Sequence, residues 1–117
     1  MKVDGYSFGR IKIEGKEYIH DLWIINGEIY KRDKGISKRL SGTSHRIPKE
    51  ELEKILRENT KRVIIGTGES GMVSVEEDGT KYLKEKGIKL EKYETGKLAK
   101  MKTKFGGDDS GIIHMTC

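Results

Sequence analysis

The chain has little of what marks several large classes of protein. It holds one cysteine, Cys117, and one proline, Pro48, among its 117 residues. A single cysteine excludes an internal disulfide framework and a zinc site built from clustered cysteines. No apolar run approaches the roughly 20 residues that a membrane-spanning helix needs. The first residues also lack the apolar segment of a signal peptide, so we expect a cytoplasmic protein with no membrane contact.

Aromatic residues are sparse at 7%, whereas charged residues make up 37% and leave a net charge of +5. The positive charge is concentrated in residues 31–46 and 81–104. Such segments are typical of a solvated lysine surface, or of a site for anions such as phosphorylated ligands or nucleic acid. RNA-binding surfaces interleave aromatic rings that stack on bases, and these segments contain only Tyr82 and Tyr93. Nucleic acid is therefore the less favoured partner.

The chain length suits one domain spanning residues 1–117. Alternating polar and apolar residues predict β-hairpins across residues 8–31, and Asn26-Gly27 is a strong hairpin-turn signal. Residues 32–46 show no clear periodicity, and we predict a long loop there. Long loops in compact domains are often functional.

Helices and strands alternate beyond Pro48, which suits the first turn of a helix. Residues 72–79 are ambiguous, because Asp78-Gly79 is a break signal. The order predicts a mixed β-sheet with helices packed on it. The predicted elements are a helix carrying Leu52, Ile55 and Leu56 on one face, a strand over 62–65, a short helix ending at Gly87, a strand over 88–92, a helix through 98–105 and a terminal strand over 112–117.

The most informative motif is Gly66-Thr67-Gly68-Glu69-Ser70-Gly71, which follows the apolar strand 62–65. A glycine turn after a buried strand lets backbone N–H groups approach a ligand closely. The predicted ligand-binding residues here are Gly66, Thr67, Gly68 and Gly71. Two alternatives are a tight connection that uses glycine for unusual φ/ψ values, and a dinucleotide site with an acid on the next strand. No helix is evident directly after Gly71, so no cofactor is predicted.

A second candidate segment is the stretch Thr43-Ser44-His45-Arg46. His45 would act as an acid/base, or would hold an anion together with Thr43 and Arg46. The alternative is a loop histidine that caps the following helix.

His114 and Cys117 are three residues apart on a predicted strand and would point to opposite faces. We therefore predict neither a metal site nor a Cys–His nucleophile pair, and His45 is the candidate catalytic residue.

Five motifs occur in an order and spacing that resemble a domain family of uncharacterised activity. Its relatives include the mammalian adipogenesis-associated protein and a mitochondrial respiratory complex I assembly factor. The resemblance implies a single three-layer α/β domain with a central mixed β-sheet and an extra N-terminal β-hairpin element. It implies no established catalytic residue or cofactor, and it suggests a binding role. The motifs are Tyr6-Ser7-Phe8-Gly9, Gly42-Thr43-Ser44-His45, Val63-Ile64-Ile65-Gly66-Thr67-Gly68, Tyr82-Leu83-Lys84 with Gly87-Ile88, and His114-Met115-Thr116-Cys117.

These patterns favour a small binding or assembly-type module with an anion or small-ligand pocket at Gly66–Gly71. Its partner would be an unidentified protein or a small anionic ligand. The alternative is an enzyme that acts on a phosphorylated or carboxylated metabolite with His45 as acid/base, and nucleic-acid binding ranks third. A hairpin bearing Tyr18, Trp23 and Tyr30 would also support a homo-oligomer.

Overall fold

The strands form three separate sheets in the computed structural model, which describes residues 1–117. Five strands come first, and four helices are then interspersed with five more strands, two of which are consecutive. In chain order the elements are β1 (Val3–Ser7), β2 (Arg10–Ile13), β3 (Lys16–Tyr18), β4 (Leu22–Ile25), β5 (Glu28–Lys31), α1 (Gly35–Ser41), β6 (Arg46–Ile47), α2 (Lys49–Ile55), β7 (Arg62–Thr67), β8 (Ser74–Val75), α3 (Glu77–Glu85), β9 (Lys89–Tyr93), α4 (Thr95–Lys100) and β10 (Asp109–His114).

The central sheet has five strands in the order β5-β4-β10-β7-β9. Strands β10, β7 and β9 run parallel, whereas β4 is antiparallel to both β10 and β5, so the sheet is mixed. Every residue of β10 is buried, and so is every residue of β7 except Arg62. Strands buried on both faces read as continuous apolar runs. This explains the run of apolar residues that leads into the glycine turn.

Side chains along β7 alternate between two apolar cores, because successive residues of a strand point to opposite faces. Ile64 packs in a core with residues of the β1-β2-β3 sheet and of α4. Val63 and Ile65 pack in the other core with residues of α2 and α3. The central sheet is therefore the middle of three layers. This confirms the predicted α/β fold, with its mixed sheet, packed helices and extra N-terminal hairpin element.

The predicted turn at Asn26-Gly27 joins β4 to β5. Asn26 has a φ of 47° and Gly27 a φ of 83°. A two-residue hairpin turn of type I′ needs positive φ at both positions, and Asn-Gly is the pair that best tolerates it. The turn therefore has the conformation that its sequence predicts.

The predicted loop over residues 32–46 contains a helix, α1, so that prediction is wrong in part. Ile36 is buried, and the hydroxyl of Ser37 accepts a hydrogen bond from the Arg32 guanidinium at 3.2 Å. Tertiary contacts therefore stabilise a helix that is too short to show a clear apolar period.

Asp78-Gly79 does not break the chain but lies within α3. A Cβ atom on Gly79 would lie 2.9 Å from Cδ1 of Leu52, so this glycine lets α3 pack closely on α2.

The predicted helix through 98–105 is shorter, since α4 ends at Lys100, and the last strand begins earlier than predicted, at Asp109. None of the four helices has the length and apolar character needed to cross a membrane.

Candidate functional site

The glycine turn after β7 is covered by the last residues of the chain. The N–H of Glu69 donates to the Thr116 carbonyl oxygen at 2.7 Å, and the N–H of Gly68 donates to Oγ1 of Thr95 at 2.9 Å. Gly68 has a φ of 96°, and a Cβ there would lie 2.6 Å from the main-chain oxygen of Cys117. The close approach that requires glycine is thus made by the chain itself. The N–H groups of Gly68 and Glu69, which the predicted ligand cradle would use, already donate to oxygen atoms of the same chain.

His45 lies beside the segment that covers the glycine turn. Its carbonyl oxygen accepts a hydrogen bond from the Ser74 N–H at 2.9 Å, and its Nε2 lies 3.9 Å from Sγ of Cys117. The ring of His45 meets the ring of His114 edge to face, with centroids 5.1 Å apart. The structure therefore brings the 42–46 segment and the glycine turn into one region, with residues 114–117 between them.

The other predicted ligand-binding side chains hold the backbone in this region. Oγ1 of Thr43 accepts the N–H of His45 at 3.1 Å, and the Arg46 guanidinium donates to the Ser41 carbonyl oxygen at 3.0 Å. Oγ1 of Thr67 donates to the Tyr93 carbonyl oxygen at 3.1 Å. A role for these residues in ligand binding stays a prediction.

A buried pair, Asp21 and His114, lies next to this region. Strand register explains why the two residues are close. Leu22 pairs with Ile113 in an antiparallel pair of strands, so the next pair of positions brings Asp21 beside His114. Oδ2 of Asp21 lies 2.7 Å from Nδ1 of His114. Oδ1 of Asp21 accepts the N–H of Met115 at 2.9 Å. Both side chains are almost completely buried, at 3% and 2% exposure.

Arg32 extends this pair into a buried charge cluster. Its guanidinium donates to both carboxylate oxygens of Glu51, at 2.8 and 3.1 Å, and to Oδ2 of Asp21 at 3.0 Å. Nε1 of Trp23 donates to Oε2 of Glu51 at 2.9 Å. Nζ of Lys34 lies 3.5 Å from Oδ2 of Asp21. Two cations and two carboxylates thus balance within the cluster, which is the condition for burying charge.

The surroundings of Asp21 hold it in its ionised form. Burial alone would raise its pKa, but the hydrogen bond and charge of His114, the Met115 N–H and the charge of Lys34 outweigh burial, and the pKa is lowered to about 2. Burial also opposes the charge of Arg32. Its bonds to Glu51 and Asp21 nevertheless raise the pKa of Arg32, so the guanidinium stays charged.

Thr116 lies on the other side of the His114 ring. Its Oγ1 is 3.4 Å from Nε2 of His114. Because Nδ1 faces an ionised carboxylate, a neutral His114 carries its proton on Nδ1, as assigned from this hydrogen-bond network. Nε2 is then a hydrogen-bond acceptor that faces the Thr116 hydroxyl. Carboxylate, imidazole and hydroxyl are thus arranged in series.

A cavity of about 360 Å³ opens over this series, and we call it the Thr116 cavity. Lys31 and Lys34 supply positive charge at its wall, while Asp21 and Arg32 belong to the buried cluster beneath. A cavity of about 520 Å³ elsewhere is lined by exposed charges of both signs, on α2 and in the segments that follow α2 and α3, without a buried charged group. The Thr116 cavity is lined by Gly9, Ile19, His20, Asp21, Lys31, Arg32, Lys34, Met115 and Thr116.

Sequence reasoning missed the residues that form the buried cluster. The prediction for His114 compared it only with Cys117, on the assumption of a strand through 112–117. Strand β10 ends at His114, so strict alternation does not continue, and the sulfur of Cys117 lies near His45 instead. Beyond the end of β10 no periodic pattern relates Thr116 to His114, so the contact between them has no signal in the sequence.

Comparisons with known proteins give relatives without assigned activity. A conserved hypothetical protein of Pyrococcus horikoshii OT3, solved by crystallography, is 38% identical, with a TM-score of 0.88 and complete coverage of both chains. A solved structure named MT938 is 29% identical, with a TM-score of 0.78 and again complete coverage of both chains. None of the curated proteins compared with the chain matches it.

The likeness to a family of uncharacterised activity is thereby confirmed, whereas neither relative bears an adipogenesis or complex I assembly name. Residues 3–101 match the family described as protein of unknown function (DUF498/DUF598). The chain therefore belongs to the DUF498/DUF598 family.

Proposed function

We propose that this domain is a binding module for a small anion, held in the Thr116 cavity. The observation that carries the proposal is the charge at the cavity wall. Arg32 and Lys34 are balanced by Asp21 and Glu51, but Lys31 also lines the cavity and makes no ion pair. A concave site with uncompensated positive charge attracts anions and raises their local concentration.

The ammonium group of Lys34 is suited to moving between two partners. It lies 3.5 Å from Oδ2 of Asp21, and its side chain is 37% exposed. Asp21 keeps two closer partners, Arg32 and His114, at 3.0 and 2.7 Å. Lys34 can therefore turn towards a bound carboxylate or phosphate without leaving Asp21 unpaired, because lysine is a point charge on a flexible stem.

Thr116 links this cavity to the pocket predicted at the glycine turn. Thr116 lines the cavity, and its carbonyl oxygen accepts the N–H of Glu69. The glycine turn would then act by fixing the position of Thr116, while the anion contacts lysine side chains. This account keeps the predicted ligand class and moves its main contacts from Gly66–Gly71 to the neighbouring cavity.

A protein-binding role in assembly is the second candidate. Phe8 is 56% exposed and Ile19 is 70% exposed, although both are large apolar residues. Ile19 lines the Thr116 cavity, and Phe8 precedes Gly9, which also lines it. Apolar side chains at the rim of a charged cavity would suit a protein partner that presents a carboxylate.

Nucleic-acid binding has less support. The ammonium groups of Lys49 and Lys86 lie 5.1 and 5.2 Å from the centre of the Tyr82 ring, and that of Lys97 lies 5.8 Å from the Tyr93 ring. The two tyrosines in the basic segment 81–104 are thus contacted by lysines of the same chain. Their rings are less available for stacking on bases.

The proposal is tested by isothermal titration calorimetry with inorganic phosphate and with succinate. The double variant Lys31→Gln/Lys34→Gln should weaken binding about tenfold or more, since it removes both wall charges. Lys92→Gln is the matched control, because Lys92 is an exposed lysine on the opposite edge strand, β9. Binding of neither anion by the unmodified protein, or equal weakening by the control, would contradict the proposal.

A further inference from the structure

We propose that Asp21, His114 and Thr116 act in series as a hydrolytic site for small esters that carry a negative charge. The inference rests on the proposed anion site, because the same cavity would bind the charged end of the ester. Thr116 would be the nucleophile and His114 the general base, and Asp21 would position the imidazole. A hydroxyl activated by a histidine that a carboxylate orients is a recurrent solution for acyl transfer.

The hydrogen bonds orient each group as this chemistry needs. Asp21 lies 2.7 Å from Nδ1 of His114, accepts the N–H of Met115 at 2.9 Å and pairs with the Arg32 guanidinium at 3.0 Å. In the neutral imidazole with its proton on Nδ1, Nε2 accepts the proton of Oγ1 of Thr116, which lies 3.4 Å away. Such contacts are often long before a substrate is bound, and they shorten in the complex.

The surrounding chain fixes both reacting groups. The carbonyl oxygen of His114 accepts the hydroxyl of Thr95 at 2.7 Å, and the carbonyl oxygen of Thr116 accepts the N–H of Glu69 at 2.7 Å. His114 is buried and its ring packs nearly perpendicular to the His45 ring, which restricts movement of the imidazole away from Asp21. Thr116 is half-buried and lines the cavity, where a substrate can reach its hydroxyl.

The reaction needs water as its one co-reactant. Oγ1 of Thr116 attacks the ester carbonyl carbon, and its proton passes to Nε2 of His114. The carbon–oxygen bond to the alcohol then breaks, and the leaving oxygen takes the proton from Nε2. Water attacks the resulting threonyl ester, gives one proton to Nε2 and releases the acid, and that proton returns to Oγ1. Lys31 and Lys34 would hold the distant carboxylate or phosphate throughout.

Cys117 is the other nucleophile in this region, and its position is less suitable. Its sulfur lies 3.9 Å from Nε2 of His45 rather than from His114. The residue is exposed and does not line the Thr116 cavity. His45 also lacks a carboxylate partner that would orient it, since its polar contacts are with Cys117, Thr43 and Ser74.

The test measures release of 4-nitrophenolate from mono-4-nitrophenyl succinate, with succinate binding measured separately by calorimetry. The unmodified protein should hydrolyse the ester faster than buffer, and a succinyl group should be found on Thr116 by mass spectrometry of peptides. Thr116→Val should lower kcat by about a hundredfold or more but still bind succinate, and Thr116→Ser should retain turnover. Thr103→Val, a threonine outside the cavity, should leave turnover unchanged.

Asp21 acts through His114, so its variant is expected to have a different kinetic signature. Asp21→Asn should lower kcat with little change in KM, in protein shown by circular dichroism to be folded. Succinate binding without turnover above buffer, or turnover that is equal in Thr116→Val, would overturn the hydrolytic site and leave the binding function intact. Failure to bind either succinate or inorganic phosphate, together with failure to hydrolyse the ester, would overturn both.

Discussion

Oδ2 of Asp21 lies 2.7 Å from Nδ1 of His114, although 93 positions separate the two residues in the chain. Strand pairing brings them together, and Arg32 connects them to Glu51 on α2. Charges are buried at a cost that is recovered only when every partner is present. Because the cluster borders a charged cavity, loss of one of its members should affect both the fold and the candidate site.

The loss of folding stability at acidic pH should depend on Asp21. Its pKa is lower in the folded chain, at about 2, than its ordinary value of 3.8. Its ionisation therefore stabilises the fold above about pH 4, and this contribution, about 2 kcal/mol, is lost as the pH falls towards 2. Urea unfolding of Asp21→Asn should show lower stability at pH 7 and a shallower decline between pH 4 and 2. Identical slopes for the two proteins would contradict this account.

Arg32 should not be replaceable by lysine. A lysine keeps the charge but loses the planar fork that bonds both oxygens of Glu51, and the buried carboxylates lose donors. Arg32→Lys is expected to lower the free energy of unfolding by about 2–4 kcal/mol. Arg10→Lys is the matched control, since the Arg10–Glu17 pair is exposed, and its effect should be below about 0.5 kcal/mol. Similar effects of the two changes in urea unfolding would show that the cluster adds little.

We expect Gly68 to be required for a stable fold as well as for ligand binding. An alanine Cβ there would lie 2.6 Å from the Cys117 main-chain oxygen, at a φ of 96°. Gly68→Ala should cost about 3 kcal/mol, because steric overlap adds to backbone strain. Gly87→Ala isolates the backbone part, since Gly87 has a φ of 71° and open space around it, and it should cost about 1 kcal/mol. If the two variants lower the melting temperature equally, the main chain of Cys117 does not limit the space at position 68.

Thr103 offers a stabilising substitution. Its Oγ1 is buried and has no hydrogen-bond partner. Replacing it with valine, which has nearly the same shape, removes a desolvated hydroxyl and should raise the free energy of unfolding by about 1 kcal/mol. Denaturant unfolding of Thr103→Val measures this free energy directly. A loss of stability would contradict the prediction and would indicate that the hydroxyl makes a hydrogen bond in the folded chain.

Much of the fold follows from local pattern. The apolar run before Gly66, the Asn26-Gly27 turn and the stripe containing Leu52 and Ile55 each specify an element with little need of tertiary context. Helix α1 was missed because its stability comes from Ile36 and from contacts with Arg32 rather than from a periodic face. Gly79 was misread as a helix break. It is needed within α3 because it leaves room for the side chain of Leu52, which is distant in sequence.

The site was harder to predict for a related reason. Motif reasoning found the glycine turn and His45, which the structure places in the same region as the chain end. It missed Asp21, Arg32 and His114, because charged residues at strand ends carry no local sign of their partners. Only strand register, which sequence pattern does not specify across such distances, brings Asp21 to His114.

The most direct test of the central claim is a titration of isotope-labelled protein with inorganic phosphate, followed by amide chemical shifts. Anion binding in the Thr116 cavity predicts saturable shifts centred on Gly9, Lys34 and Thr116, which are absent from Lys31→Gln/Lys34→Gln. Shifts confined to residues 70–72 at the exposed end of the glycine turn, or no saturable shift at all, would contradict the assignment of this cavity as the anion site.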